Sequence, residues 1–240
     1  MSGPRLESGW WHETESPKAW MSVRDADLYE ALLHRVAAMR NGETLRVVEW
    51  GAGRSTLWYT AFLDLLGVPY TWLSIEYNKA FFEEYCSPTL RERPNAAIVT
   101  EDGTGIEGIR DLVNRQGTVV VLYDAGEVRP DLPERKADRA VNLDAYVSLP
   151  SRLGYSCDIV VIDGRKRRRC LIEATRLVDP HGYVLIHDAW RTYYHCAYTA
   201  FGSGRRFGDE WWIGARRETS FTEVLPWHAF EYHASADGLQ

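Results

Sequence analysis

Two hundred and forty residues, 45% hydrophobic and 26% charged, describe a globular chain with a sizeable core. That composition excludes wholesale disorder, a collagen-like repeat and a disulfide scaffold. The formal charge of −6, from 28 basic and 34 acidic residues, argues against a protein built to wrap nucleic acid. No run nears the roughly 18 apolar residues of a membrane helix. The opening MSGPRLESGWWHETES lacks the apolar core of a secretory signal. Cys86, Cys157, Cys170 and Cys196 are scattered and read as reduced thiols, so a cytoplasmic protein is expected.

In chain order, residues 1–21 read as an arm carrying Trp10, Trp11 and Trp20, and residues 22–240 as a single domain. Helical spacing of Leu28, Leu32, Val36 and Met39, with Ser22 and Asp25 as a capping pair, predicts a helix over 22–40. A strand over 45–49 runs into Trp50-Gly51-Ala52-Gly53, and a helix over 54–66 follows. Gly67-Val68-Pro69 breaks the chain before a second strand over 70–76 and a helix over 78–91. Strands are expected over 96–100 and 118–123 with a helix over 105–114 between them, then a charged loop over 125–138. A strand over 158–163, a helix over 165–178 and a strand over 182–187 complete the alternation. Buried strands alternating with helices indicate a parallel sheet covered on both faces. Aromatic strands over 210–216 and 225–232 are too close for a crossover and are expected to pair antiparallel.

The strand–glycine turn–helix at Gly51 and Gly53 is a geometry that anchors a nucleotide-bearing ligand, and Glu76 at the end of the next strand can accept both ribose hydroxyls. Dinucleotides and S-adenosylmethionine are the two ligand classes that use it. The dinucleotide fingerprint wants a third glycine where this chain has Thr56, and Glu49 would repel a pyrophosphate. The ammonium and sulfonium of adenosylmethionine would instead be attracted by that carboxylate.

Glu49-Trp50-Gly51-Ala52-Gly53-Arg54-Ser55-Thr56, followed by Ser74-Ile75-Glu76, resembles the first two motifs of class I S-adenosylmethionine-dependent methyltransferases. Asp163-Gly164-Arg165-Lys166-Arg167, Cys170, His187-Asp188, Arg191 and Tyr194 are similar to a DGRxRxxC…HDxxRxxY pattern of a bacterial subgroup. The resemblance spans about residues 45–200. It implies a Rossmann-like α/β fold: a seven-stranded, mostly parallel sheet in order 3-2-1-4-5-7-6, strand 7 antiparallel, with helices on both faces. It also implies adenosylmethionine held by Glu49, Gly51, Gly53, Ser55, Glu76 and Asp163, with Asp124, or else Asp102, on the adenine. The segment between strands 2 and 4 is longer than the family's.

Methyl transfer is an in-line displacement at an activated carbon, so the protein's tasks are alignment and, for a hydroxyl or amine, removal of a proton. The catalytic candidates are His187, Asp163 and Asp188. His187 suits a general base, its ordinary pKa being about 6.5; it could equally order the strand end or position the acceptor. Asp163 and Asp188 could share a divalent cation, as in catechol-type O-methyltransferases, but Ala189 replaces the third ligand there, and no metal is expected. Arg165, Arg191 and Tyr194 are the acceptor-binding candidates. The run 165–169 reads as a solvated helix face or a nucleic-acid patch, and the three tryptophans of the arm as a lid or a staple.

The expected activity is O- or N-methylation of a small-molecule acceptor, with specialised metabolism as one setting and a homodimer left open. Rivals are cyclisation of adenosylmethionine with release of methylthioadenosine, methylation of RNA or protein, and a non-catalytic dimer partner.

Overall fold

The computed structural model describes residues 19–124, 136 and 140–231. Helix α1 (Val23–Met39) starts where Ser22 Oγ accepts the Asp25 amide. Then follow β1 (Leu45–Trp50), α2 (Arg54–Leu65), β2 (Tyr70–Glu76), α3 (Lys79–Tyr85), α4 (Ser87–Arg91), β3 (Ala96–Thr100), α5 (Glu101–Val113) and β4 (Gly117–Leu122). Helix α6 (Asp144–Leu153), β5 (Cys157–Ile162), α7 (Arg167–Leu177), β6 (Val178–Ile186), a 3₁₀ segment (Thr192–Ala200), β7 (Ser203–Phe207) and β8 (Trp211–Ala215) complete the domain.

The sheet is mixed and has eight strands, in order β3-β4-β2-β1-β5-β6-β8-β7, where seven were expected. The extra strand is β3, which pairs parallel with β4 at the outer edge and, with α5, accounts for the long segment after β2. With β3 set aside, the other seven stand in the order 3-2-1-4-5-7-6. Strand β8 runs antiparallel to both neighbours. Its partner is β7, not the expected strand over 225–232. Pro226 withholds a ladder donor, and Trp227–Phe230 forms a 3₁₀ turn instead. The predicted helix over 78–91 is two, because Pro88 in the first turn of α4 forces a break at Cys86.

Both faces of the sheet are buried, as parallel strands require. Along β1, β5 and β8 successive residues alternate between two cores. Val48, Val160, Ile162 and Trp212 join Tyr146 and Tyr194 under α6 and α7. Val47, Ile159, Val161 and Trp211 join Tyr29, Trp58 and Trp72 under α1 and α2. The register then sets the site. Trp50 lies opposite both Ile75 and Ile162. Glu76, Gly51 and Asp163, each one residue on, therefore emerge side by side at the carboxyl ends of β2, β1 and β5.

Candidate functional site

A cavity of ≈ 380 Å³ opens at those strand ends. Its floor is the Gly51–Gly53 turn and the first turn of α2, and its walls include Glu76, Tyr77, Phe81, Asp163 and Arg165. Gly51 has φ 106°, and a Cβ there would lie 2.5 Å from the Gly164 nitrogen, so two turns meet back to back. Gly53 differs: a Cβ would meet nothing nearer than the Phe81 ring at 3.9 Å, which leaves the space above it open to the cavity.

Glu49 lies behind the turn, fully buried, and does not line the cavity. Four donors converge on its carboxylate: Ser55 Oγ (2.7 Å), Thr56 Oγ1 (2.6 Å), Ser74 Oγ (2.5 Å) and Trp72 Nε1 (2.9 Å). Burial raises its pKa and these bonds oppose the rise. Thr56 Oγ1 also accepts the Gly53 amide at 3.0 Å, so Thr56 ties the glycine turn to Glu49. The third position of the dinucleotide fingerprint is thus occupied by a side chain the loop needs.

Glu76 lines the cavity and is buried, with Oε1 accepting the Asn78 amide at 2.7 Å. Burial, together with repulsion from Glu49 and Asp163, pushes its pKa up to about 8. Asp163 is held below the usual carboxylate range; burial alone would raise it, but Arg167 and His187 beside it prevail.

Arg167, in a run that reads as a solvated face or a nucleic-acid patch, is buried instead. Its guanidinium bridges Asp163 Oδ1 and Asp188 Oδ2, at 3.0 Å each. It also donates to the carbonyls of Asp163 (2.9 Å), Gly164 (2.9 Å) and His187 (2.7 Å). Asp163, His187 and Asp188 offer ligand atoms within 4.8 Å of one another, a spacing that suits a metal. The cation bridging the two aspartates is Arg167, whose single positive charge sits between them.

The structure separates the other predicted residues. His187 is buried and does not itself line the cavity, but it touches Asp163, which does. Its Nδ1 faces Asp163 at 3.3 Å, its Nε2 faces Glu210 at 3.3 Å, and the ring rests on Trp211. Burial lowers its pKa, but Asp163 and Asp188 outweigh that and raise it. Asp188 does not line the cavity either; it pairs with Arg167 and, at 3.0 Å, with Arg191. Tyr194 is fully buried in the core beneath Arg167, so packing and not acceptor contact explains it. Arg165, Arg191 and Ser55 line the cavity. Asp124 is exposed and bridges to Asn78, and Asp102 is exposed in the first turn of α5; neither lines the cavity. Trp20 stands 79% exposed at the mouth under Arg54, while Trp10 and Trp11 lie outside the described residues. Sequence reasoning missed Tyr77 and Phe81. Their signal was position, Tyr77 directly after the β2 carboxylate and Phe81 in the first turn of α3.

No family model matches the chain, and no curated protein matches its sequence. Among solved structures it is similar to a methyltransferase-like protein from Silicibacter pomeroyi, at 18% identity over 88% of this chain and 98% of that one, TM-score 0.48. Cofactor-bound Rv0187 from MTB matches at 18% identity over 85% of each chain, TM-score 0.49. The O-methyltransferase TomG from Streptomyces achromogenes, solved with SAM, matches at 13% identity over 80% and 83%, TM-score 0.46. Likeness this distant carries no argument about chemistry, which rests on the residues of the cleft. Among the described residues no helix is long and apolar enough to cross a membrane.

Proposed function

We propose that this chain is an S-adenosylmethionine-dependent methyltransferase of the class I type, acting on a small-molecule acceptor by O- or N-methylation. The observation that carries this reading is the gathering of three carboxylates, Glu49, Glu76 and Asp163, around one glycine turn. Their mutual repulsion helps lift Glu76 to about 8. A ligand bearing a sulfonium and an ammonium relieves that repulsion, whereas a pyrophosphate adds to it.

The residues present fit the cofactor. The open space above Gly53 admits a ligand against the α2 amino terminus. In this reading Glu76, in the cavity wall, accepts the ribose hydroxyls, and Asp163, kept ionised by Arg167 and His187, offers a carboxylate to the ammonium. When bound, adenosylmethionine supplies a methyl group already activated by positive sulfur. The chain's own contribution is then placement and charge: Tyr77 and Phe81 wall the cavity, and Asp163, with its depressed pKa, is an electrostatic group more than a base.

Calorimetry with adenosylmethionine and with NAD tests the cofactor: uptake of NAD alone would end this reading. Mass spectrometry of the by-product then separates methyl transfer, which leaves S-adenosylhomocysteine, from cyclisation, which leaves methylthioadenosine. No observation favours a nucleic-acid substrate. Of the basic run, Arg167 is buried, Arg169 pairs with Asp144 and Arg165 faces the cavity.

A further inference from the structure

Four arginines line the cavity: Arg54, Arg165, Arg167 and Arg191. Two of them are neutralised by carboxylates, Arg167 by Asp163 and Asp188, and Arg191 by Asp188. Arg54 and Arg165 have no carboxylate partner among the described residues. Each instead stands by an aromatic ring, Arg54 by Trp20 and Arg165 by Tyr77, with Cζ 5.6 Å from the centroid in both. Arg165 spends one donor on the protein, Nε to the Tyr77 hydroxyl at 3.0 Å. With Nε committed to that hydroxyl, the two Nη groups of Arg165 are left to face the cavity, the fork that grips a planar anion with two parallel hydrogen bonds.

The charges can be matched to ligands. Adenosylmethionine, on which this inference rests through the proposed function, carries one carboxylate, and one of the two arginines suffices to pair with it. Arg54, in the first turn of α2 beside the glycine turn, is the nearer to the cofactor's binding floor. That leaves Arg165, two residues past Asp163 at the carboxyl end of β5.

We propose that the methyl acceptor is an acid, carrying a carboxylate or phosphate group that Arg165 anchors. Tyr77 holds Arg165 in place and, with Phe81, gives the cavity an aromatic wall suited to a flat acceptor body.

Ligand-observed NMR titrations on the full chain saturated with S-adenosylhomocysteine test this with three probes: benzoate, phenyl phosphate and uncharged benzamide. At least one anion should bind about tenfold or more tighter than benzamide, the scale of charge-assisted hydrogen bonds. Which anion wins separates carboxylate from phosphate. Arg165→Met should abolish the preference and leave S-adenosylhomocysteine affinity unchanged, Arg165→Lys should keep part of the preference, and Arg54→Met should weaken S-adenosylhomocysteine instead. Equal binding of the three probes, binding of neither anion, or a preference that survives Arg165→Met would overturn the proposal. So would an Arg165→Met that weakens S-adenosylhomocysteine and spares the anions. If the unmutated chain ignores S-adenosylhomocysteine, the cofactor reading fails separately, and the same probes on the ligand-free chain still decide whether Arg165 is an anion site.

Discussion

Gly51 and Gly164 lie back to back, the amide of one turn against the α-carbon of the other, so the loops after β1 and β5 leave no room for a methyl group between them. Gly51→Ala therefore meets both a clash and a left-handed backbone. Overpacking of this kind costs about 1–3 kcal/mol, with backbone strain in addition. Chemical denaturation should show the loss, and adenosylmethionine binding should fall with it. Gly53→Ala, at an open position, should leave stability nearly unchanged while blocking the cofactor.

Glu76 gives the cleft a pH dependence whose sign follows from its environment. Its folded-state pKa of about 8 lies above the ordinary 4.5, so the folded chain binds this proton more tightly than the unfolded one. Stability from this group is greatest at low pH and falls as pH rises from about 4.5 to 8. Glu76→Gln should flatten that decline in denaturation curves taken across the window. Glu30, raised to about 7 chiefly by burial, adds to the same decline and should remain in the variant.

A cationic ligand favours ionised Glu76, so adenosylmethionine affinity should increase as pH climbs towards 8, and binding at pH 7 should release protons. Calorimetry in buffers of different ionisation heat reads that release directly. Glu76→Ala should weaken binding by about 1–3 kcal/mol, the scale of hydrogen bonds to a charged group. Unchanged affinity would mean that the cofactor does not use this carboxylate.

Arg167→Met leaves Asp163 and Asp188 without the cation between them. Breaking a buried pair costs about 3–5 kcal/mol, whereas Arg168→Ala, on the exposed side of α7, should fall within about 0.5 kcal/mol of the parent. Urea denaturation of the two variants makes the comparison.

Thr56→Gly would complete the dinucleotide spacing Gly51-x-Gly53-x-x-Gly. It also removes the hydroxyl that joins the Gly53 amide to Glu49. The expected outcome is a less stable chain, by about 1–3 kcal/mol, with no gain of NAD binding. NAD uptake by this variant would show that Thr56 alone bars a dinucleotide.

The elements around the cleft were legible where punctuation is strong. Gly67-Val68-Pro69 and Glu76 bound β2 to the residue, and Gly51 and Gly53 mark the turn. Helix α6 was missed because it contains Pro150 and follows a charged segment. Strand β7 was missed because Ser-Gly-Arg-Arg-Phe lies at an edge and needs no apolar alternation. The aromatic pattern of 225–232 misled because Trp227 is 70% exposed and serves no core. Within the site, Glu76, Asp163 and Arg165 could be read from their positions at strand ends. Arg167 could not: a run of five like charges hides the one that turns inward. It stands at the first residue of α7, and the left-handed turn at Lys166 brings it back onto Asp163, a bend that composition does not announce.

A cation that belongs to the polypeptide cannot be washed out, exchanged or starved. With Arg167 wedged between two strand ends, the electrostatic pattern of the cleft is inherited with the gene and assembled when the chain folds.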